Sequence, residues 1–252
     1  MRLIYLGSRA FLAPLLCVAM FAQDSVADLV KQADPILGQV NEAERVRGLL
    51  NRAVTMCDAG PQHTPDCARA YDLFALFLFS KEPARVVEPL CKKALDIDEQ
   101  NPPEHPADMA LALELEAAAL RALGQDGSAP LADRAATIRR GIVREASPPY
   151  TPPAAGVRKI GRDVTAPRVT YKVEPSYTEY ARMAKQQGTV FLKLVVDDKG
   201  VPQEIELLRS LGFGLDERAV ETVRTWRFQP ATTADGTPVP VIATIQVNFR
   251  LL

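Results

Sequence analysis

The sequence predicts an α+β protein: an all-helical repeat unit followed by a small unit of strands and helices. Two observations carry this. A spacing of 41 residues recurs through the Ala-, Leu-, Glu- and Arg-rich stretch before residue 145, and Gly188 to Leu252 reads as strand, turn, strand, helix, strand. A cluster of prolines between Ser147 and Pro167 divides the two patterns.

With 252 residues the chain has room for two small domains rather than one. Its formal charge of −1 and pI near 6.2 give no electrostatic footprint for a nucleic-acid partner. The first residues carry a compartment signal. Arg2 and Arg9 precede or open an apolar run from Ala10 to Ala22, a length that suits the core of an export signal, roughly 7–15 residues, and falls short of the roughly 20 needed to span a bilayer. Small residues offer cleavage after Ala22 or after Ala27, so the signal is 1–22 or 1–27; an uncleaved anchor is the alternative, and membrane contact is expected only then. Cleavage after Ala22 removes two arginines and no acids, taking the formal charge from −1 to −3. Leu15-Leu16-Cys17 has the outline of a lipoprotein site, but the bulky Leu16 beside Cys17 argues against it.

Of four cysteines, Cys17 leaves with the signal. Cys57 and Cys67 flank a short polar loop that a disulfide can close in an oxidising compartment; two buried thiols are the other reading. Cys91 lies within a helical pattern and reads as core.

From residue 28 to 145 the pattern is helical, broken by Gly-Pro and Pro-Pro loops. Arg52-Ala53, Lys93-Ala94 and Arg134-Ala135 recur at 41 residues, followed at one offset by Met56, Ile97 and Ile138, and Pro65 recurs as Pro106. A self-similar unit that cannot bury its own apolar face must stack on its neighbours. Ala107 to Ile138, with Leu123-Gly124 between helices and Asp133-Arg134-Ala135 after them, resembles tetratricopeptide repeats of the longer kind. Such stacks present a peptide-binding surface, or serve as a rigid spacer or dimerisation stalk. The dense apolar stretch Tyr71 to Phe79 is expected as a buried helix.

Residues 146–167 read as a linker. Ser147-Pro148-Pro149 and Thr151-Pro152-Pro153 favour polyproline II, and roughly 22 residues so extended reach on the order of 70 Å. The segment is expected to separate the two units.

In the last unit, 168–252, Ser176 and Glu179 have capping-box spacing ahead of a short helix bearing Tyr177, Tyr180, Ala181 and Ala184, with Gly188 as its terminator. Val190, Leu192, Leu194 and Val196 form one strand face, with Asp197-Asp198 as hairpin-turn residues. Leu215, Ala219, Val223 and Trp226 lie at helical spacing and should cover the sheet. The last strand runs from Val239 to Leu251.

These elements resemble the TonB C-terminal domain family. The resemblance rests on Pro175-x-Tyr177, Tyr180-Ala181, Gly188-Thr189-Val190, Val196-Asp197 with Gly200, Leu215-Asp216-x-x-Ala219-Val220, Trp226-x-Phe228-x-Pro230-Ala231 and Val247-x-Phe249, in that order over about Val169 to Leu252. It implies two helices packed on one face of a three-stranded antiparallel sheet. It also implies a last strand that accepts an extended peptide from protein partners, outer-membrane receptors in the case of TonB, coupled there to an inner-membrane motor. On that pattern Thr244, Gln246, Asn248 and Arg250 face away from the core and contact the partner, while Tyr177, Leu215, Trp226, Phe228 and Phe249 anchor the core. The chain departs from the family's transducers in three respects: a signal-like apolar run replaces a membrane anchor, a helical repeat replaces the long Pro-rich spacer, and Glu174 and Thr178 stand where TonB has Gln and Pro.

No catalytic constellation is present in the sequence. His63 and His105 read as loop residues, with no ligand spacing for a metal. Gly212-Phe213-Gly214 lacks the further glycine and lysine of a phosphate loop, and Asp216-Glu217 puts negative charge where phosphate would sit. The expectation is therefore a non-enzymatic, cofactor-free, exported periplasmic protein that binds envelope proteins by strand addition, or an inner-membrane-anchored energy transducer. A terminal strand that pairs with itself would also permit a dimer.

Overall fold

The computed structural model describes residues 24–60, 64–153 and 156–251. Residues 1–22, expected as an export signal, and with them Cys17, lie outside these residues, as does His63. Among the described residues no helix is long and apolar enough to cross a membrane.

Six helices come first. Helix α1 (Val26–Ala33) starts at a capping box in which Ser25 and Asp28 each accept the other's backbone amide. After two short 3₁₀ turns, α2 (Ala43–Ala59) and α3 (Pro65–Phe79) follow. Thr64 caps α3 by accepting from the Cys67 amide, and Pro65 takes the first position, where no amide is required. Next come α4 (Ala84–Gln100), α5 (Pro106–Leu123) and α6 (Ser128–Ala146), with Gly124 closing α5 in the left-handed region. Helices α3 and α5 start 41 residues apart, at Pro65 and Pro106, as do α2 and α4 at Ala43 and Ala84, which is the spacing read in the sequence. Each helix packs on the next, and the Tyr71–Phe79 stretch of α3 is largely buried between its neighbours.

The C-terminal unit contains a three-stranded antiparallel sheet in the order β3-β2-β7, where β2 is Gly188–Val196, β3 is Pro202–Arg209 and β7 is Val241–Phe249. Two helices, α7 (Glu179–Met183) and α8 (Leu215–Thr225), accompany it. Strand β1 (Arg168–Tyr171) pairs with β4 (Arg227–Gln229), and β5 (Ala231–Thr232) pairs with β6 (Pro238–Val239). Alternation sets the buried face: Val190, Leu192, Leu194 and Val196 on β2 pack with Leu215, Ala219 and Val223 of α8. Asp197 accepts from the amides of Lys199 and Val201 and builds the β2–β3 turn. Gly200 in that turn sits at φ 77°, and a Cβ there would lie 1.8 Å from the Phe228 carbonyl oxygen.

Four details differ from the sequence reading. The cap of α7 is Thr178, not Ser176: its hydroxyl accepts from the Ala181 amide while donating to the Phe213 carbonyl, so tertiary contact moves the helix start. Gly188 does not end α7, which stops at Met183 with Lys185 in the left-handed region, and Gly188 opens β2 instead. The last strand is not continuous from Val239, because Pro240, which lacks an amide, divides β6 from β7.

The fourth difference concerns the Pro-rich segment, which does not hold the two units apart. The buried apolar cluster runs without a break from α1 through β7. Helix α6 lies along β3, and the hydroxyl of Ser147 sits 2.9 Å from both the Val143 carbonyl in α6 and the Ile205 carbonyl in β3, its one proton shared between them. Arg224 of α8 donates to the Ala146 carbonyl. Local composition predicts polyproline II but says nothing of what its flanks pack against.

Candidate functional site

A sheet has two edges, and in this unit they differ. The β3 edge is occupied by α6 and by the Ser147–Ile205 hydrogen bond. On β7 the residues pair with β2 in continuous register from Gly188↔Phe249 to Val196↔Val241. Antiparallel pairing turns alternate residues toward the partner strand and the others outward. The outward set is fixed by Ile242, whose amide donates to the carbonyl of Arg158 at 3.2 Å, while the Arg158 amide donates to the Pro240 carbonyl at 2.8 Å. Residue 158, from the Pro-rich segment, thus seals the first end of the β7 edge as a parallel bridge.

Beyond that clasp, Thr244, Gln246 and Asn248 continue the outward series, and among the described residues no other strand pairs with them. Their side chains, with that of Arg250, are exposed, whereas Val241, Ala243, Val247 and Phe249 are buried and Ile245 is half-buried. The same four residues therefore present outward side chains and, through Asn248, an open ladder. Asn248 accepts from the Thr189 hydroxyl across the strand pair, so its side chain is already oriented.

Beneath the ladder lie the apolar residues singled out in the sequence. Phe249 meets Tyr177 edge-to-face at 5.5 Å between ring centres. Trp226 packs beside Phe228 at 6.4 Å, its indole N–H donating to the Val173 carbonyl. Leu215 is fully buried at the start of α8. Far from this site, a disulfide joins Cys57 at the end of α2 to Cys67 at the start of α3, while Cys91 is a buried free thiol.

Two features were not legible from sequence. One is Arg158, an unremarkable base in a Pro-rich run. The other is a groove of about 670 Å³ between α6 and the outer sheet face, bounded by Arg140, Arg144, Val157, Lys193, Glu206 and Ile242. A charge inside the apolar run of α5, Glu114, was a visible anomaly that could have flagged the interface between the units. Among the described residues no group of three or more His, Cys, Asp or Glu is placed to hold a metal ion.

Residues 173–251 match the family described as Gram-negative bacterial TonB protein C-terminal. The chain is similar to Protein TonB of Vibrio cholerae serotype O1, with 34% identity over 84 residues, 33% of this chain and 34% of that protein. It is also similar to Protein TonB of Klebsiella pneumoniae, at 29% over 109 residues covering 42% of each chain. Protein tonB2 of Pseudomonas aeruginosa matches at 34% over 78 residues, 31% of this chain and 28% of the other. The chain thus spans about a third of the length of the curated relatives it matches.

Proposed function

From residues 173–251, which form a TonB C-terminal domain, we infer that this chain is an exported periplasmic protein that binds envelope proteins by adding their extended segments to β7. The observation that carries this reading is the unpaired outward backbone of Thr244, Gln246 and Asn248 on a sheet whose other edge, β3, is occupied by α6. Such groups form a ladder with an incoming peptide, and flanking side chains select among peptides. Partner selection falls to Thr244, Gln246, Asn248 and Arg250. The repeat unit provides a second interaction surface.

Export is supported by the signal-like start together with the disulfide, which suits an oxidising compartment. The capping box of α1 favours cleavage after Ala22, since cleavage after Ala27 would remove Ser25 and leave the helix start uncapped. A second reading, an inner-membrane-anchored energy transducer, draws on the similarity to proteins named TonB and requires residues 1–22 to be retained. N-terminal sequencing of the purified protein separates the two: a start at Gln23 excludes the anchor, and an intact leader excludes release into the periplasm.

Strand addition is tested by Gln246→Pro. Its amide points away from β2, so proline removes an outward donor without breaking the β2–β7 ladder. Wild-type mature chain should capture outer-membrane receptors or other envelope proteins from periplasmic and membrane extracts, and the variant should lose them while its melting temperature stays close. Capture that survives Gln246→Pro unchanged would sink the reading.

A further inference from the structure

The groove between α6 and the outer sheet face has a volume of about 670 Å³, within the range of ligand sites. Its α6 wall carries Arg140, Gly141 and Arg144, and its floor includes Lys193, Glu204 and Ile242. Pro148, Pro149 and Val157 close the third side.

Three local features of this groove cost stability, and packing within the chain explains none of them. Arg140 and Arg144 stand at i and i+4, so like charges share one helix face. Among the described residues neither has a carboxylate within salt-bridge distance, and the Arg140 guanidinium donates to the Thr137 hydroxyl at 2.9 Å. Gly141 lies inside the helix, where glycine is disfavoured against alanine, yet a Cβ there would meet nothing within 4 Å. Glu204 is held in the left-handed region, at φ 45°, where a bulge advances β3 by three residues against two of β2. Local rules broken together at one place mark a functional site rather than a device for stability.

The charges favour an anion. Lys193 and Glu206 neutralise each other at 2.7 Å. That leaves two guanidinium groups against the single carboxylate of Glu204, beside apolar surface from Val157 and the exposed Ile242. Guanidinium groups so placed suit carboxylates.

Spacing selects the form of the ligand. Four residues of α-helix rise about 6 Å, which separates Arg140 from Arg144 along the axis. Alternate residues of an extended peptide stand about 6.7 Å apart and share a face, while the residue between them points the other way.

We propose that this groove binds an extended segment of a protein partner with the pattern acid–apolar–acid. The two carboxylates meet Arg140 and Arg144, the apolar side chain between them lies on Ile242 and Val157, and Gly141 leaves room for the peptide backbone. The site uses other residues than the outward backbone of Thr244, Gln246 and Asn248, and it does not rest on strand addition there.

Calorimetric titration of the purified full chain with acetyl-Ser-Glu-Leu-Glu-Ser-amide tests this, with the Gln-Leu-Gln and Glu-Gly-Glu counterparts as controls. Saturable one-to-one binding of the first peptide is expected, weakening as salt is raised, with both controls weaker. Arg140→Gln or Arg144→Gln should each weaken it about threefold, and the two together about tenfold. Gly141→Leu should block the groove while the melting temperature holds or rises, since leucine is the better helix former. Gln246→Pro should leave this binding unchanged, which separates the groove from the β7 edge. No saturable binding, equal binding of the Gln-Leu-Gln peptide, or binding indifferent to both Gly141→Leu and the double arginine variant overturns the proposal. Loss of binding in Gln246→Pro also overturns it, because the peptide then sits on the edge. Sedimentation that shows a dimer broken by Gly141→Leu overturns it too, in favour of a second copy as the occupant.

Discussion

Arg139 of α6 holds the Glu114 carboxylate of α5 through two hydrogen bonds, at 2.9 and 3.0 Å, both groups being buried. The same carboxylate accepts the Phe213 amide at 2.7 Å, and Arg139 also reaches Glu217 of α8 at 3.1 Å. A helix–helix pair inside the helical unit is therefore the bolt that fastens the C-terminal unit. Gly212 leaves room for it, since a Cβ there would come within 2.9 Å of Glu114.

Removing one half of this pair strands the other. Glu114→Ala should destabilise the chain by about 3 kcal/mol, because a buried guanidinium loses its two-bonded partner and keeps only the single contact with half-buried Glu217. The double variant Glu114→Leu with Arg139→Met should regain most of that loss, but not the Phe213 hydrogen bond. Urea denaturation of the three proteins checks the order; equal losses in the single and double variants would show that the pair is not the fastening.

Glu116 gives a pH signature. Burial, and then Glu88, raise its carboxyl from the ordinary 4.5 to about 7. Between those values the folded chain binds more protons than the unfolded one, so its stability contribution is complete at acid pH and is lost as pH rises toward 7. Glu116→Gln should match the wild type near pH 4 and exceed it at pH 8 by on the order of 1 kcal/mol, allowing for solvent screening. Denaturant midpoints across that range provide the measurement.

Gly200→Ala should be among the most damaging small substitutions. Its backbone is left-handed and the new methyl would strike the Phe228 carbonyl. Strain alone contributes about 1–3 kcal/mol, and the backbone clash adds to it. Calorimetry should show a lowered melting temperature, whereas Gly236→Ala, with open space around it, should show only the smaller strain effect.

Reduction should weaken the helical unit. The Cys57–Cys67 bridge closes a short loop, and its loss is expected to cost about 2–3 kcal/mol. In a chain starting at Gln23, Ellman's reagent should label no thiol when folded and one, Cys91, after unfolding without reductant, because Cys91 is buried.

Elements whose cause is local were readable in advance. The alternation of Val190 to Val196, the α8 face of Leu215, Ala219 and Val223, and the 41-residue spacing of Pro65 and Pro106 each encode a period that folding need only realise. The outward series Thr244, Gln246, Asn248 and Arg250 follows from the same alternation. Competing local signals were not resolvable. Ser176 and Thr178 both have cap chemistry, and the choice fell to Thr178 because Phe213, distant in sequence, offers its hydroxyl an acceptor.

By itself, the sequence determined the fold class, through the 41-residue spacing and the short helix and strand periods, and both faces of the last strand, through its period of two. Tertiary structure alone decided which edge of the sheet is open. Helix α6 and Ser147 cover β3, Arg158 clasps the first end of β7, and Thr244 to Asn248 remain unpaired. Those contacts join residues far apart in the chain, where backbone groups carry no side-chain label for a sequence pattern to report.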